Sequence, residues 1–384
     1  MPQADSNRVS LHIFEEVAWD DTPATPTMAE LPYTSESLTY QKRTIKSSIV
    51  RADRLTDDII EVGAGSQGEI NIEYKFGDFD KLIEGSLGSA FVTGTFTGTA
   101  NLSFAAAGAG VQVLTGPAST FTNYVDGTWV RVSGANSANN GVFKITAHSS
   151  TTLTIANATG TVQANSSATV LYRYARTGTT NKSYLIEKSF NDLAKFIHYR
   201  GMRVSTWAMN IAAEQIITGS FGFLGSRAVP QATTISGSKT AAGSLSVCGA
   251  TANVGTLQEN GTALATKIKG VKFNLNANPR QLTAVANKYP IGINLGSFEI
   301  TGTLEAYFED LVLYQKFIDH NDSSLTVEID SPEDDRTILT ISNLKFTNAA
   351  PVGAGLNQDV MVALDFTAKR DPTSNAMMQV DLLT

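Results

Sequence analysis

The stretch Glu69-Ile70-Asn71-Ile72-Glu73-Tyr74-Lys75-Phe76 decides the fold class, because polar and apolar residues alternate along it without a break. A period of two is typical of a strand with one buried and one solvated face. The period then changes, since Asp78 can cap a helix and Gly88 can end it. The apolar residues between them share one helical face: Phe79, Leu82 and Ile83. The sequence therefore predicts a strand that runs into a short helix.

A second unit of the same kind occurs late in the chain. Residues 298–306 alternate in the same way, and Glu309 and Asp310 then open a stretch with helical spacing. The apolar face of this helix comprises Tyr314, Phe317 and Ile318. Further strands are predicted at 325–329, 338–341, 344–346 and 360–366.

The first unit is followed by a comparable set of strands, but only after a gap. These predicted strands are 184–190, 196–199, 204–211 and 217–223. In the late unit the helix passes almost at once into its next strand, whereas about ninety residues, the size of a small domain, intervene in the early unit. We therefore predict an internal duplication whose first copy is split by an insertion.

The predicted domains follow from this pattern. The first copy comprises residues 1–91 and 179–227, and the second copy comprises residues 267–384. Residues 92–178 contain short β signals separated by Gly/Asn/Ser turns, which predict a small inserted β-barrel or sandwich. Its strands are expected near 111–113, 129–132, 142–145 and 153–155. Residues 228–266 are rich in Ala, Thr and Gly and are expected to form an elaborated linker.

The composition limits the function. The chain has 384 residues and a net charge of -7, which argues against a general nucleic-acid-binding protein, since such proteins hold phosphates with Lys and Arg. Cys248 is the only cysteine, so no internal disulfide can form. The N-terminus shows no basic start followed by an apolar run, and no stretch approaches the roughly 18 apolar residues of a membrane helix. We expect a soluble protein, made in a reducing cytoplasm, that has no membrane partner.

Patterns for catalysis or metal binding are weak. Residues 63–68 match G-x-G-x-x-G, but a dinucleotide site needs this motif between a strand and a helix. Here it leads into a strand, so a turn between two strands is expected. The acidic pairs Asp57-Asp58 and Asp334-Asp335 are expected to be solvated, the second in a hairpin turn at 331–336. The histidines lack metal-ligand spacing: His12, His148, His198 and His320. We expect no enzyme activity, no cofactor and no metal.

Residues 34–62 do not alternate cleanly and carry charges in blocks, which predicts a long loop or hairpin. Loops of this length inside a domain are usually functional. Basic residues come first and acidic residues follow, and opposite charges on one loop suit pairing with a neighbouring subunit better than DNA binding. The candidate contact residues are Lys42, Arg43, Lys46, Arg51, Asp53, Arg54, Asp57 and Asp58.

Several ordered stretches resemble the tail tube proteins, or major tail proteins, of long-tailed bacteriophages. They are residues 8–16, 21–26, 37–40, 51–54, 68–73, 80–82, 201–204 and 218–225. The resemblance covers both halves outside the insertions. Its specificity comes from the order of strand patterns and not from a catalytic signature.

The resemblance implies a mainly β fold: a duplicated β-sandwich or barrel of the tail-tube type, with a short flanking helix in each copy and the inserted all-β domain on the outer surface. It implies a structural role in the virion, in which rings with continuous inner β-sheets stack into a hollow tube. A long loop would reach the adjacent ring, and DNA would pass through the lumen without specific binding. The implied partners are further copies of the chain and the tail tip, tape measure and terminator proteins.

Two alternatives stay open in the sequence. Two copies of the fold in one chain favour a pseudo-six-fold ring of three chains, but a ring of six chains is the alternative, because the second copy lacks an obvious counterpart of the charged loop. The rival function is a phage or bacterial surface adhesin with Thr/Gly-rich β modules. An adhesive role for the insertion would rest on Trp129, Tyr124 and its Thr/Asn-rich loops.

Overall fold

A computed structural model describes residues 3–21, 23–108, 110–264, 266–331, 333–353 and 355–384. Thr22 and Pro332, which fall within stretches discussed above, lie outside these residues. The described residues form 28 strands and three α-helices, so the predicted mainly β fold is confirmed. Two short 3-10 helices occupy Ser6–Arg8 and Ser137–Asn139.

The elements follow one another along the chain in four groups. The first group is β1 (Val9–Glu15), β2 (Thr27–Glu30), β3 (Ser35–Glu36), β4 (Thr39–Lys46), β5 (Ile59–Glu73) and α1 (Asp80–Leu87). The second is β6 (Val92–Thr97), β7 (Leu102–Gly108), β8 (Val111–Thr115), β9 (Trp129–Ser133), β10 (Gly141–His148), β11 (Thr152–Ile155), β12 (Gln163–Ser166) and β13 (Thr169–Arg176). The third is β14 (Tyr184–Phe190), β15 (Lys195–Ala212), β16 (Thr218–Gly225), β17 (Arg227–Gln231), β18 (Ser238–Thr240) and α2 (Ala250–Asn253). The fourth is β19 (Val254–Glu259), β20 (Thr262–Ala263), β21 (Ile268–Asn276), β22 (Arg280–Leu282), β23 (Gly292–Asn294), β24 (Glu299–Tyr307), α3 (Val312–Ile318), β25 (Ser323–Asp330), β26 (Arg336–Val352), β27 (Met361–Ala368) and β28 (Met378–Leu383).

A seven-strand antiparallel sheet runs through the molecule in the order β5–β16–β15–β21–β24–β27–β26. Alternate side chains of each strand point into one core, which accounts for the alternation in the sequence. Trp207 lies in this core, where its ring stacks on Phe221 at 6.1 Å between centroids and meets Phe273 edge-on at 5.1 Å. The opposite face of the sheet carries the polar residues of the alternation.

Two long strands, β15 and β26, each take part in two sheets. The first half of β15 pairs with β14 and β17, and its second half with β16 and β21. The first half of β26 likewise pairs with β25 and β28, and its second half with β27. One further strand is added outside each of these sheets: β1 pairs with β14 in the first half of the chain, and β19 pairs with β25 in the second half. The same order of pairing therefore occurs in both halves of the chain. Gly201 lies where β15 changes sheets and has a φ of +62, which an L side chain adopts only with strain.

The helices agree with the sequence in position and differ in their caps. Helix α1 ends at Gly88, which has a φ of +61 as predicted for a C-terminal glycine. The predicted cap at Asp78 is wrong, because its carboxylate accepts a 2.7 Å hydrogen bond from the Gly243 backbone N–H and does not bond to the helix. In α3 the predicted apolar face is partly wrong, since Ile318 is exposed and Leu313 is the buried residue.

Three further features of the structure concern strands. Strand β28 is not among the strands predicted above, although Met378 to Leu382 alternate between apolar and polar residues, and all six of its residues are buried. The turn expected at 63–68 is wrong, since these residues lie inside β5. Gly68 is needed there because a Cβ would lie 2.6 Å from the Leu38 Cα. The stretch expected to be a linker contains β17 and β18, which pair with β15 and β2.

Residues 92–176 surround a separate core. Their strands are paired in the order β6–β13–β9–β10–β11–β8–β7–β12. The four strand positions predicted here are confirmed as parts of β8, β9, β10 and β11. Phe121, Tyr124 and Tyr172 form a chain of edge-to-face aromatic contacts in this core. This packing is independent of the core under the seven-strand sheet.

Strand β13 also pairs with β28, and this joint ties the 92–176 region to the second half of the chain. Trp129 packs there with Ile338 and Leu383, and its backbone N–H donates a 3.1 Å hydrogen bond to Asp381. Tyr124 donates to the Val170 carbonyl oxygen from within the core. Both aromatic rings are thus buried, and the expectation that they form an adhesive surface is wrong.

Asp381 is a buried carboxyl group at this joint. Its burial is the largest influence and raises its pKa to about 7, although hydrogen bonds from Gln379 and the Trp129 backbone lower the pKa. Gln379 donates to Asp381 at 2.6 Å and accepts from the Arg176 guanidinium at 2.8 Å. The joint therefore contains a carboxyl group that is protonated in weakly acidic solution.

Asp381→Asn is expected to flatten the pH dependence of stability. The folded carboxyl keeps its proton up to a pKa of about 7, whereas an unfolded Asp ionises near about 3.9. The free energy of unfolding should therefore fall as pH rises between these values, by at most about 4 kcal/mol, and stay low above them. Urea unfolding at pH 5 and pH 8 measures this slope. Asp359→Asn, at an exposed position, is the control and should keep the wild-type slope; an unchanged slope in D381N would contradict the assignment.

Candidate assembly surfaces

The open face of the seven-strand sheet contains a groove of about 770 Å³, whose lining includes the polar residues Asn71, Ser220, Asn274, Thr301 and Thr367. Residues paired across neighbouring strands share a face, so the strand register places one row of side chains across the whole sheet. Strand β3 adds one residue to this row beside β5, so from β3 to β26 the row is Ser35, Asn71, Ser220, Ala208, Asn274, Thr301, Thr367 and Lys345. The row has few long side chains, which leaves the groove open.

Charge on the open face is mainly negative. Its carboxylates are Glu69, Glu73, Glu299, Glu305 and Asp365, and its lysines are Lys272 and Lys345. Lys272 lies 3.1 Å from Glu305, and Lys345 lies 3.2 Å from Asp322, so both lysines are engaged by carboxylates. Asp365 accepts a 2.7 Å hydrogen bond from Thr303. A surface of this kind does not attract phosphate groups.

The charged stretch predicted as a loop or hairpin is the β4–β5 hairpin with its connection at 47–58. Arg51 pairs with Asp53 at 2.7 Å and with Asp57 at 2.6 Å, so these three predicted contact residues neutralise one another within the connection. The hydrogen bonds from Arg51 lower the pKa of Asp53. Asp58 accepts from the Ile59 backbone N–H.

The other predicted contact residues are arranged differently. Arg43 donates to the Gln281 side chain. Three others are exposed on the hairpin: Lys42, Lys46 and Arg54. The structure therefore places all eight predicted residues on one hairpin but does not bring them together as one charged surface.

Sequence reasoning missed the apolar residues of this hairpin. Its exposed large aliphatic side chains are Ile45, Ile49, Val50, Leu55, Ile59, Ile60 and Val62. Val50 is 96% exposed, and no other segment of the described chain has so many exposed aliphatic residues. The signal was available as an apolar content too high for a solvated loop. Exposed apolar surface of this kind marks sites of protein association.

A shorter hairpin takes the corresponding place in the second half of the chain. Strands β22 and β23 form a hairpin that continues β21 and β24 beyond the sheet. In the first half of the chain, the β4–β5 hairpin projects beyond β3 and β16 in the same way. Its exposed aliphatic residues are Leu282, Val285 and Ile291. The two hairpins touch, because the Ala64 N–H donates to the Lys288 carbonyl oxygen at 2.9 Å and Lys288 lies 3.0 Å from Glu61. The hydrogen bond from Lys288 lowers the pKa of Glu61.

The opposite end of the sheet is also apolar. Glu73, far from the hairpin tip, pairs with Thr218, and Tyr307 pairs with Met361, so the turns after β15, β24 and β26 lie together at that end. Their exposed aliphatic residues are Ile216, Leu311, Val312, Val352, Leu356 and Val360. The sheet therefore has a polar open face between two apolar ends.

Replacing Ile49 and Val50 with serine is expected to weaken self-association at least tenfold without changing the stability of the single chain. Both side chains are exposed in the single chain, and each contributes about 1.5–3 kcal/mol if an interface buries it fully. Sedimentation velocity measures association, and thermal unfolding checks the fold. Lys46→Ser, on the same hairpin, should have a much smaller effect; equal effects of the two variants would show that the contact is not apolar.

The histidines lie outside the groove. His198 is buried 3.0 Å from Glu187, His148 lies on the surface 2.7 Å from Asp126, and neither histidine lines the groove. Within the part of the chain that the structure describes, no group of three or more His, Cys, Asp or Glu residues could hold a metal ion. Burial raises the pKa of the Cys248 thiol to about 11, which keeps it in the unreactive neutral form. Across those same ranges, no helix has the length and apolar character to cross a membrane.

One protein family matches the chain. The family model described as "Phage tail tube protein" matches residues 6–368, which is nearly the whole chain. No curated protein matches the chain.

Proposed function

Because this chain belongs to the phage tail tube protein family, and therefore has a structural role in the phage tail, we propose that its copies form rings that stack into a hollow tube for DNA. The observation that carries the proposal is the seven-strand sheet, with a polar and mainly acidic open face between two apolar ends. We assign the open face to the lumen, the edges of the sheet to contacts within a ring, and the apolar ends to contacts between rings.

The acidic face suits a channel for DNA. Protein surfaces that hold DNA carry Lys and Arg against its phosphates, whereas the two lysines of this face lie beside carboxylates. Repulsion between the carboxylates and the phosphates would let DNA slide without a specific binding site. This role needs no catalysis, cofactor or membrane.

The pairing order of the strands supports an internal duplication. In the first half, β5, β16 and β15 follow one another across the sheet, as β24, β27 and β26 do in the second half. The first copy comprises 1–91 and 179–227, the second comprises 267–384, and 228–266 connects them. A chain with two copies favours a ring of three chains over a ring of six. The shorter β22–β23 hairpin supports this choice, because it is a counterpart of the β4–β5 hairpin in the second half of the chain.

The β4–β5 hairpin is the proposed contact with the adjacent ring. Its predicted charged residues include the Arg51, Asp53 and Asp57 cluster, which shapes the connection, and its aliphatic residues supply the contact surface. Stacked rings would bring this hairpin onto the apolar end formed by the turns of the next ring. Head-to-tail contacts of this type generate open filaments rather than closed particles.

The inserted domain at 92–178 is proposed to lie on the outer surface of the tube. It is joined to β28, which belongs to the sheet away from the open face. The tube would grow on a tail tip complex around a tape measure protein and stop at a terminator protein, after synthesis of the subunits in the host cytoplasm.

Electron microscopy of the concentrated protein at physiological salt tests the proposal. Hollow tubes or stacked rings are expected, and averages of end-on views should show three-fold symmetry with six similar lobes. Addition of tail tip complexes should nucleate tubes if the protein alone forms none. Monomers under both conditions would contradict the proposed function.

The double variant Glu69→Lys/Glu299→Lys tests the assignment of the lumen. The two glutamates occupy equivalent places in the two halves of the chain. Glu69 lies two residues before Asn71 in β5, and Glu299 lies two residues before Thr301 in β24; Asn71 and Thr301 belong to the row of side chains across the open face. Variant tubes should retain short duplex DNA and release it as salt is raised, whereas wild-type tubes should not retain it. The neutral pair Glu69→Gln/Glu299→Gln separates loss of repulsion from gain of attraction. Retention by neither variant would place these residues outside the lumen.

A further inference from the structure

The seven-strand sheet, extended by β3 beside β5, has one edge at each end that lacks a strand partner among the described residues. The second half of β26 pairs with β27 on one side, and in the described residues no strand pairs with its other side. At the far end, β3 pairs with β5, and no strand of the described ranges pairs with its other side. Unpaired edges of this kind are templates for strand addition.

The chain itself contains an example of how such edges can be joined. The second half of β15 pairs with β21 over seven residue pairs, from Thr206 opposite Asn276 to Ala212 opposite Gly270. This junction links the two halves of the chain. At each of its ends one more backbone hydrogen bond of 2.9 Å extends it, from Ala277 to Ser205 and from Ala213 to Lys269.

The strand register shows which residues are equivalent in the two halves. In the first half, Ala208 pairs with Ser220, Ser220 pairs with Asn71, and Asn71 pairs with Ser35. In the second half, Lys345 pairs with Thr367, Thr367 pairs with Thr301, and Thr301 pairs with Asn274. Lys345 therefore corresponds to Ala208, and Ser35 corresponds to Asn274.

We propose that the free edge of β26 pairs antiparallel with the β3 edge of a second copy of this chain, with Lys345 opposite Ser35 and Asn343 opposite Ser37. The register follows from the internal junction, where Ala208 lies opposite Asn274 and Thr206 lies opposite Asn276. Repeating one junction geometry between and within chains closes the sheet into a ring. This inference rests on the proposed tube function and adds to it the edge, direction and register of the contact.

A polar group near the β26 edge lacks a partner in the single chain. Asn343 is buried, and its side-chain Oδ1 has no hydrogen-bond partner among the described residues. Buried polar groups are normally hydrogen-bonded. Strand addition at this edge would bring new backbone donors close to Asn343.

The double variant Ser35→Cys/Lys345→Cys tests the register by oxidation of assembled protein. Opposed residues of antiparallel strands have Cα atoms about 4.5–5.5 Å apart, within disulfide reach. The native Cys248 is buried, which keeps the background low. Non-reducing gels should show a ladder that ends at a ring of three chains. The off-register control Ser37→Cys/Lys345→Cys should cross-link at least tenfold more slowly.

Mixing the single variants provides a second readout that does not require the double variant to fold. Ser35→Cys and Lys345→Cys chains should form only covalent dimers when mixed, and neither should cross-link alone. Tubes visible by electron microscopy without cross-links at the predicted pair, or faster cross-linking of the control, would overturn the register and leave the proposed function standing. Absence of rings and tubes would overturn both. A ladder that ends at six chains would support the junction and overturn the ring of three.

Discussion

The hydrogen-bonding capacity of the strand backbone is the constraint on which the rest of this structure depends. Each strand has donors and acceptors on both sides, and β15 and β26 satisfy theirs by pairing in one sheet along their first halves and in another along their second halves. This arrangement holds two layers of strands over one core. It also leaves one side of the second half of β26 without a strand partner among the residues that the structure describes, and an edge of this kind can template the addition of a strand.

Different forces dominate on different surfaces of the sheet. The open face carries short polar side chains and an excess of carboxylates, so solvation and repulsion of anions are its main properties. The two ends carry aliphatic side chains that gain free energy only when another surface covers them. Charge on the β4–β5 connection is largely internal, because Arg51 pairs with Asp53 and Asp57. Such exposed pairs contribute little to stability, but they hold the shape of the segment that presents Ile49 and Val50.

The region 92–176 shows how a large insertion is tolerated. It forms its own core, so its folding places few demands on the sheets of the two halves. It enters after α1 and returns through β13, whose last residues pair with β28 of the other half. The joint thereby links parts of the chain that are far apart in sequence. Because Asp381 and Trp129 are buried there, the joint has the character of a core rather than of a flexible tether.

The sequence by itself determined the elements that have one buried and one solvated face. Alternation at 69–76 and 298–306, helical spacing after each, and the glycine at 88 sufficed for the strand-helix units and the mainly β class. The order of the strand patterns along the chain indicated the family. Alternation predicts one buried and one solvated face, whereas β28 is buried on both faces although Gln379 and Asp381 alternate with apolar residues. Only the tertiary structure decided that 196–199 and 204–211 are one bent strand, that Trp129 and Tyr124 are buried, and that the aliphatic residues of the β4–β5 hairpin are exposed. These properties depend on which distant strands pair, and pairing between strands far apart in sequence leaves no trace in local composition.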